Sequence, residues 1–213
     1  MCSAQNSSRS RLRVRQPKAY WQPVMPRDQP ACDEELMLAY REGDASAFDE
    51  LYRRHKAPLF RYVLRQCREK AVAEELFQDV WTNLIRARST YTVTARFTTY
   101  LYRLAHNRLI DHYRRRAPDA LVSFESDEET VDGISSSVAL RPDHIYEVRD
   151  QLLRVLQLVE ALPAAQREAF VLQVEAGLSV EDIAIVTGVT RETAKSRLRY
   201  AMAKLREGMH GWL

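Results

Sequence analysis

The stretch Arg96–Arg116 carries six arginines (96, 103, 108, 114, 115 and 116) against a single acid, Asp111. A guanidinium group grips a phosphate through a planar fork, an aromatic ring stacks on an unpaired base, and a side-chain amide reads a base edge. Projected at about 100° per residue, Phe97, Leu101, Leu104, Ala105 and Leu109 share one side, an apolar stripe that must face a core. Arg96, Tyr100, Arg103, Asn107, Ile110 and Arg114 collect on another side, with Asp111 at its edge. Such a helix can hold a polyanion and stack on or read its bases. A merely solvated basic face has the same composition, so the rest of the chain must decide.

Covalent chemistry has no comparable cluster. Acids are scattered over helix faces, and no nucleophile stands with a supporting base, so no enzyme activity is expected. Cys2, Cys32 and Cys67 are odd in number and far apart, which argues against a disulfide framework or a zinc site and suits a reducing cytoplasm. His106 and His112 are six residues apart and point to different parts of a helix, so neither a metal nor another cofactor is expected. No apolar run reaches the roughly 18–20 residues that a membrane span needs, so no membrane insertion is expected. Hydrophobic residues make up 46% of the 213 positions, enough for real cores. Glycine is scarce (6 residues) and no run alternates in the β manner, so the fold class is all-α.

Charge divides the chain. Residues 1–28 hold six basic groups and one acid, Ser123–Gly133 five acids and no base, and Arg191–Glu207 six bases and two acids. Segregation of this kind points to polyanion contacts at particular places. Residues 1–30, rich in Ser, Arg, Gln and Pro, read as a disordered basic tail. Residues 118–142 read as a flexible acidic linker between two small helical domains, 31–117 and 143–213.

In the first domain, Asp33 is placed to cap a short helix carrying Leu36, Met37 and Tyr40. Asp44 or Ser46 is placed to cap a longer one, in which Pro58 predicts a kink or break. Ala71–Arg86 is plainly amphipathic. Leu76, Phe77, Val80, Trp81 and Leu84 form its core face, while Glu74, Glu75, Gln78, Asp79 and Thr82 form an acidic face suited to a basic partner. The Ala87–Ala95 loop, with Ser89, Thr90, Tyr91, Thr92 and Thr94, could receive an unstacked base. In the second domain, a helix from His144 to about Leu162 is followed by one over Ala164–Glu175 that should bury Phe170, Val171 and Val174. Then Ser179 caps a short helix, Ala184 permits a close crossing, Gly188 permits a tight turn and Thr190 caps a further helix: a helix-turn-helix. Arg191, Glu192, Thr193, Lys195, Ser196, Arg197 and Arg199 are its expected exposed positions. Arg191 and Arg197 suit guanine, Glu192 cytosine, and Lys195 and Arg199 phosphates.

These segments together resemble the extracytoplasmic-function (ECF) sigma factors, the smallest type of the bacterial sigma-70 family. The resemblance covers about Asp33–Arg116 and His144–Met209, with four motifs in the family's order and spacing. Val72-Ala-Glu-Glu-Leu-Phe-Gln-Asp-Val-Trp81 resembles the helix that docks on core RNA polymerase, which implies that role for Glu74, Glu75, Gln78 and Asp79. Phe97–Arg116 resembles the helix for the promoter element nearer the start site, which implies contacts to DNA from Arg96, Tyr100, Arg103, Asn107, Arg114 and Arg115. Leu162-Pro-Ala-Ala-Gln-Arg-Glu-Ala-Phe170 and Gly177–Leu205 resemble the domain that binds the upstream element. Thr190, Glu192 and Ala194 depart from the family's usual Pro, Gly and branched residue. The resemblance implies recruitment of core polymerase and melting of double-stranded promoter DNA into single strands, with an anti-sigma factor as a candidate partner. The acidic linker would suit the polymerase's basic channels. A helix-turn-helix regulator acting without melting remains the alternative; it would bind its operator without polymerase.

Overall fold

The computed structural model describes residues 31–116 and 144–209, so the expected basic tail and acidic linker lie outside the described residues. Among the described residues there are eight α-helices, one short 3-10 turn and no strand. Helix α1, Asp33–Arg41, begins one residue earlier than expected: Cys32 takes the cap position, and Glu35 reaches back to accept its backbone N–H at 3.1 Å. Asp33, Glu34 and Glu35 in the first turn complement the positive end of the helix dipole. Helix α2, Ala45–Cys67, is capped by Asp44, which accepts from the Ser46 N–H at 2.9 Å and from the Ser46 hydroxyl at 2.6 Å.

Of the kink or break expected at Pro58, a break is not found: α2 continues through it. An interior proline forfeits the bond to the carbonyl four residues back, here Arg54, and costs about 3 kcal/mol. Leu51 before it and Leu59, Tyr62 and Val63 after it are all buried. Burying one such side chain is worth about 1.5–3 kcal/mol, so keeping them in one register outweighs the lost bond.

Helix α3, Lys70–Ala87, buries Val72, Ala73, Leu76, Val80, Trp81 and Leu84. Trp81 packs edge-on against Phe48 and Tyr52, with ring centroids 5.7 and 4.9 Å away. Each such pair adds about 0.5–1.5 kcal/mol beyond its buried area. The 3-10 turn Arg88–Thr90 and a short loop lead to α4, Phe97–Arg116. The Phe97 N–H, orphaned at the helix start, donates to Glu34 Oε1 at 2.6 Å, so α1 caps α4 from across the fold.

The second group comprises α5 (His144–Glu160), α6 (Ala164–Ala176), α7 (Val180–Thr187) and α8 (Arg191–Met209). The chain between α5 and α6 is tied down by Arg167, which donates to the Leu162 carbonyl at 3.0 Å. Contrary to expectation, Val174 is 62% exposed. It lies on the side of α6 opposite Ala165, Ala169 and Leu172, which form the buried face. Between α7 and α8, Gly188 adopts φ +69°, left-handed backbone that a residue with a Cβ resists. Helix α2 packs on α6, and α4 on α6 and α7, so the described residues form one compact unit.

Candidate nucleic-acid interface

On α3 the buried stripe fixes what faces outward. Glu74, Glu75 and Gln78 are exposed and Asp79 is half-buried. Lys70 pairs with Glu74 at 3.7 Å, one turn away on the surface. The expected docking residues therefore share one face, backed by the Trp81 cluster.

On α4, Phe97, Leu101, Ala105 and Leu109 of the predicted core stripe are buried and Leu104 is half-buried; Thr99 and Tyr102 join the buried set. Arg96, Arg103, Asn107, Arg114 and Arg115 are exposed, and Tyr100 is half-buried with Tyr91 edge-on at 5.2 Å. Tyr91 is not available to stack on a base, as the loop reading supposed. It is buried, burial pushes its phenol up to about 12, and its carbonyl accepts from Arg41 at 3.1 Å. The stripe does not look into open solvent along its whole length. Arg96 sits 3.9 Å from Asp182 of α7, and Asn107, Ile110 and Arg114 line a cleft of about 490 Å³ whose far wall is Thr187, Gly188, Val189 and Arg197.

The helix-turn-helix has the caps its sequence predicts. Ser179 Oγ accepts from the Asp182 N–H at 3.1 Å, and Thr190 Oγ1 accepts from the Thr193 N–H at 3.2 Å. Glu192, Thr193, Lys195, Ser196 and Arg199 together line a shallow depression on α8. Arg191 is exposed and paired with Glu181 and Glu192. Arg197 is the exception. Expected on the outer face, it is only 6% exposed and turns inward beside the cleft. Its position, three residues from buried Ala194 and four from buried Ala201, sets it on the inner face of α8.

Residues 51–118 match the sigma-70 region 2 family, and residues 152–205 match the sigma-70 region 4 family. The chain is 33% identical over 172 residues to the RNA polymerase sigma factor CarQ of Myxococcus xanthus, covering 80% of this chain and 94% of that one. The chain belongs to the ECF sigma factors of the sigma-70 family. It is also 28% identical over 179 residues to the ECF sigma factor SigM of Mycobacterium tuberculosis, covering 81% of this sigma factor and 82% of that one. In fold it is similar to CnrH, solved in complex with the cytosolic domain of CnrY, at TM-score 0.60 and 22% identity over 85% of this chain and 99% of that one. It is likewise similar to the RpoE sigma factor solved with the anti-sigma factor NepR from Bartonella quintana, at TM-score 0.57 and 22% identity over 76% and 96% of the two chains. As an RNA polymerase sigma factor it binds core polymerase, recognises a two-part promoter and melts it to start transcription. No helix among the described residues is long and apolar enough to cross a membrane.

Sequence reasoning missed one part of this sigma factor. Gln166, Arg167 and Glu168 of α6 are all buried. Glu168, 1% exposed, accepts from the Tyr62 hydroxyl of α2 at 2.6 Å and lies 2.7 Å from His106 Nδ1 of α4. Burial works against a charge on Glu168, yet His106, the Tyr62 hydroxyl and Arg197 outweigh it and hold the carboxyl below its usual range. Burial likewise opposes a charge on His106, and Glu168 raises its pKa nonetheless. The signal for this cluster was local: a Gln-Arg-Glu triplet between Ala164-Ala165 and Ala169 puts polar groups inside an otherwise small-residue face.

Proposed function

We propose a division of labour among three faces of this sigma factor. Glu74, Glu75, Gln78 and Asp79 of α3 dock on a basic surface of core polymerase. Arg96, Tyr100, Arg103, Asn107, Arg114 and Arg115 engage the downstream promoter element, the arginines on phosphates and Asn107 at a base edge. Arg191, Glu192, Thr193, Lys195, Ser196 and Arg199 meet the upstream element in the major groove, and Arg197 joins them once freed from its inward position. Residues 31–117 and 143–213 are the two working domains. The protein acts in the cytoplasm by binding alone, without covalent chemistry, and an anti-sigma protein is a natural inhibitor for it.

The observation that carries this reading is the acidic row of α3. It lies on the outward side of a helix whose other face is committed to the core, and Glu74 is paired only at the surface, with Lys70 of the same helix, so the row is accessible to a partner. Run-off transcription with purified core polymerase over a genomic promoter pool tests it. Sequence-selective initiation is expected, abolished by Glu75→Ala with Asp79→Ala at unchanged melting temperature. Full initiation by that double variant would overturn the docking assignment. A regulator that acts without melting would instead bind its duplex tightly with no polymerase present.

A further inference from the structure

Arg167 of α6 departs from the rule that a buried charge is paired with an opposite one. It is only 5% exposed, and among the described residues no carboxylate forms an ion pair with it. Its Nη1 donates instead to two backbone carbonyls, Leu162 at 3.0 Å and Glu160 at 3.4 Å, while its buried Nε meets no acceptor. A second guanidinium stands beside it. Arg68 Nη2, just past the end of α2, donates to the same Glu160 carbonyl. Two cations thus converge on one neutral oxygen. Burial pulls the Arg167 guanidinium down to about 10, the like charge of Arg68 adds to the pull, and Tyr113, Glu168 and Glu160 offset it only in part. The acids nearby are engaged or turned outward. Glu168 is held by His106 and Tyr62, Glu69 pairs with Arg116 at 3.3 Å, and Glu160 is exposed.

Arg68 carries a second mark. Its φ is +59°, left-handed backbone that glycine accepts and a residue with a Cβ resists. Its N–H closes α2 on the Leu64 carbonyl at 2.8 Å, a role that glycine fills at least as well. What arginine adds at this position is therefore its side chain. Backbone held against its preference in this way collects at ligand clamps. A guanidinium fork matches a phosphate group with two parallel N–H bonds, and two forks that already share one oxygen can share one phosphate. Arg68, Glu160 and Ala161 are all exposed, so the pair is reached from solvent at the end of α5.

We propose that Arg68 and Arg167 form a binding site for a single phosphate group, either the free ion or the monoester of a small molecule, bridging the two guanidinium forks. The bound oxyanion supplies the counter-charge that the protein withholds from Arg167, and it stabilises the folded chain by mass action.

The test follows the melting temperature of the full chain at neutral pH and constant ionic strength, with inorganic phosphate replacing chloride. A saturable rise is expected. General exclusion of phosphate from the protein surface also stabilises, but without saturating. Arg68→Gly removes one fork and relieves the left-handed backbone, so it should fold like the wild type by circular dichroism and lose the saturable part. Arg167→Lys keeps the charge without the fork and should weaken phosphate binding at least about tenfold, the worth of one charged hydrogen bond. If Arg167→Lys does not fold, Arg68→Gly decides. Glycerol phosphate, titrated in the same way, identifies the source: tighter binding than inorganic phosphate supports an ester, weaker binding the free ion. A rise that does not saturate, or one that is the same in Arg68→Gly, would overturn the proposal. So would an Arg68→Gly variant that keeps the phosphate response but binds a random-sequence duplex more weakly, since the arginines would then serve DNA.

Discussion

Replacing Glu34 with alanine should loosen the start of α4 from a distance. The Glu34 carboxylate accepts from the Phe97 N–H at 2.6 Å, and it also sits at the positive end of the α4 dipole. A hydrogen bond to a charged group contributes about 1.5–3 kcal/mol and the dipole about 0.3–1 kcal/mol. Glu34 is only partly buried, so solvent screening keeps the sum near the lower end, about 1–2 kcal/mol. For a chain of this size that lowers the melting temperature by about 2–8 °C. Glu34→Gln keeps an acceptor oxygen without the charge and should fall between. Burial opposes the charge on Glu34, but the Phe97 N–H and its own backbone prevail and hold the carboxyl below its ordinary value of 4.5. A depressed folded-state pKa gives stability that is present above the unfolded value and lost as pH falls through the folded one. The gap between wild type and Glu34→Ala, followed by circular dichroism, should therefore be full at pH 7 and close under acid conditions, below about pH 4. Equal melting at pH 7, or a gap unchanged in acid, would refute the capping role.

Three further outcomes are expected. Asn107→Ala should change which promoters are used in a pooled run-off assay, whereas Arg114→Ala should weaken all of them alike and reduce the salt slope of DNA binding by about 1. Gly188→Ala meets no steric neighbour but must hold φ +69°. It should cost about 1–2 kcal/mol and lower the melting temperature measurably, with little change in helix content. Leu109→Ala, at a fully buried position between the α4 stripe and the core, should destabilise by about 2–5 kcal/mol in urea titration.

What could be read from the sequence was whatever rests on nearest neighbours along the chain. Ser179 with Asp182, Gly188 and Thr190 with Thr193 act over three residues or fewer, and each appears where expected. The acidic face of α3 follows from its helical period alone. Several of the misreadings involve distant partners. Pro58 does not break α2 because the buried residues on both sides of it share a core. Tyr91 looked like a base platform but is held by Arg41, 50 residues away. Arg197 looked like a base reader, and its inward turn follows from the packing of α8 around Ala194 and Ala201. Glu168 was passed over because its partners, Tyr62 and His106, lie 106 and 62 residues away. No periodicity links such positions.

That long reach gives the protein a history as well as a shape. Ribosomes add about 5–20 residues per second, and domains fold as they emerge. The last residue of α4 is Arg116, and Glu168 is added 52 positions later, roughly 3–10 s at that pace. In that interval α1–α4 can complete their own core while Tyr62 and His106 await a carboxylate that has not been made. Every molecule thus makes α1–α4 first, and the Glu168 contacts that tie α2 and α4 to α6 form only when synthesis is nearly done.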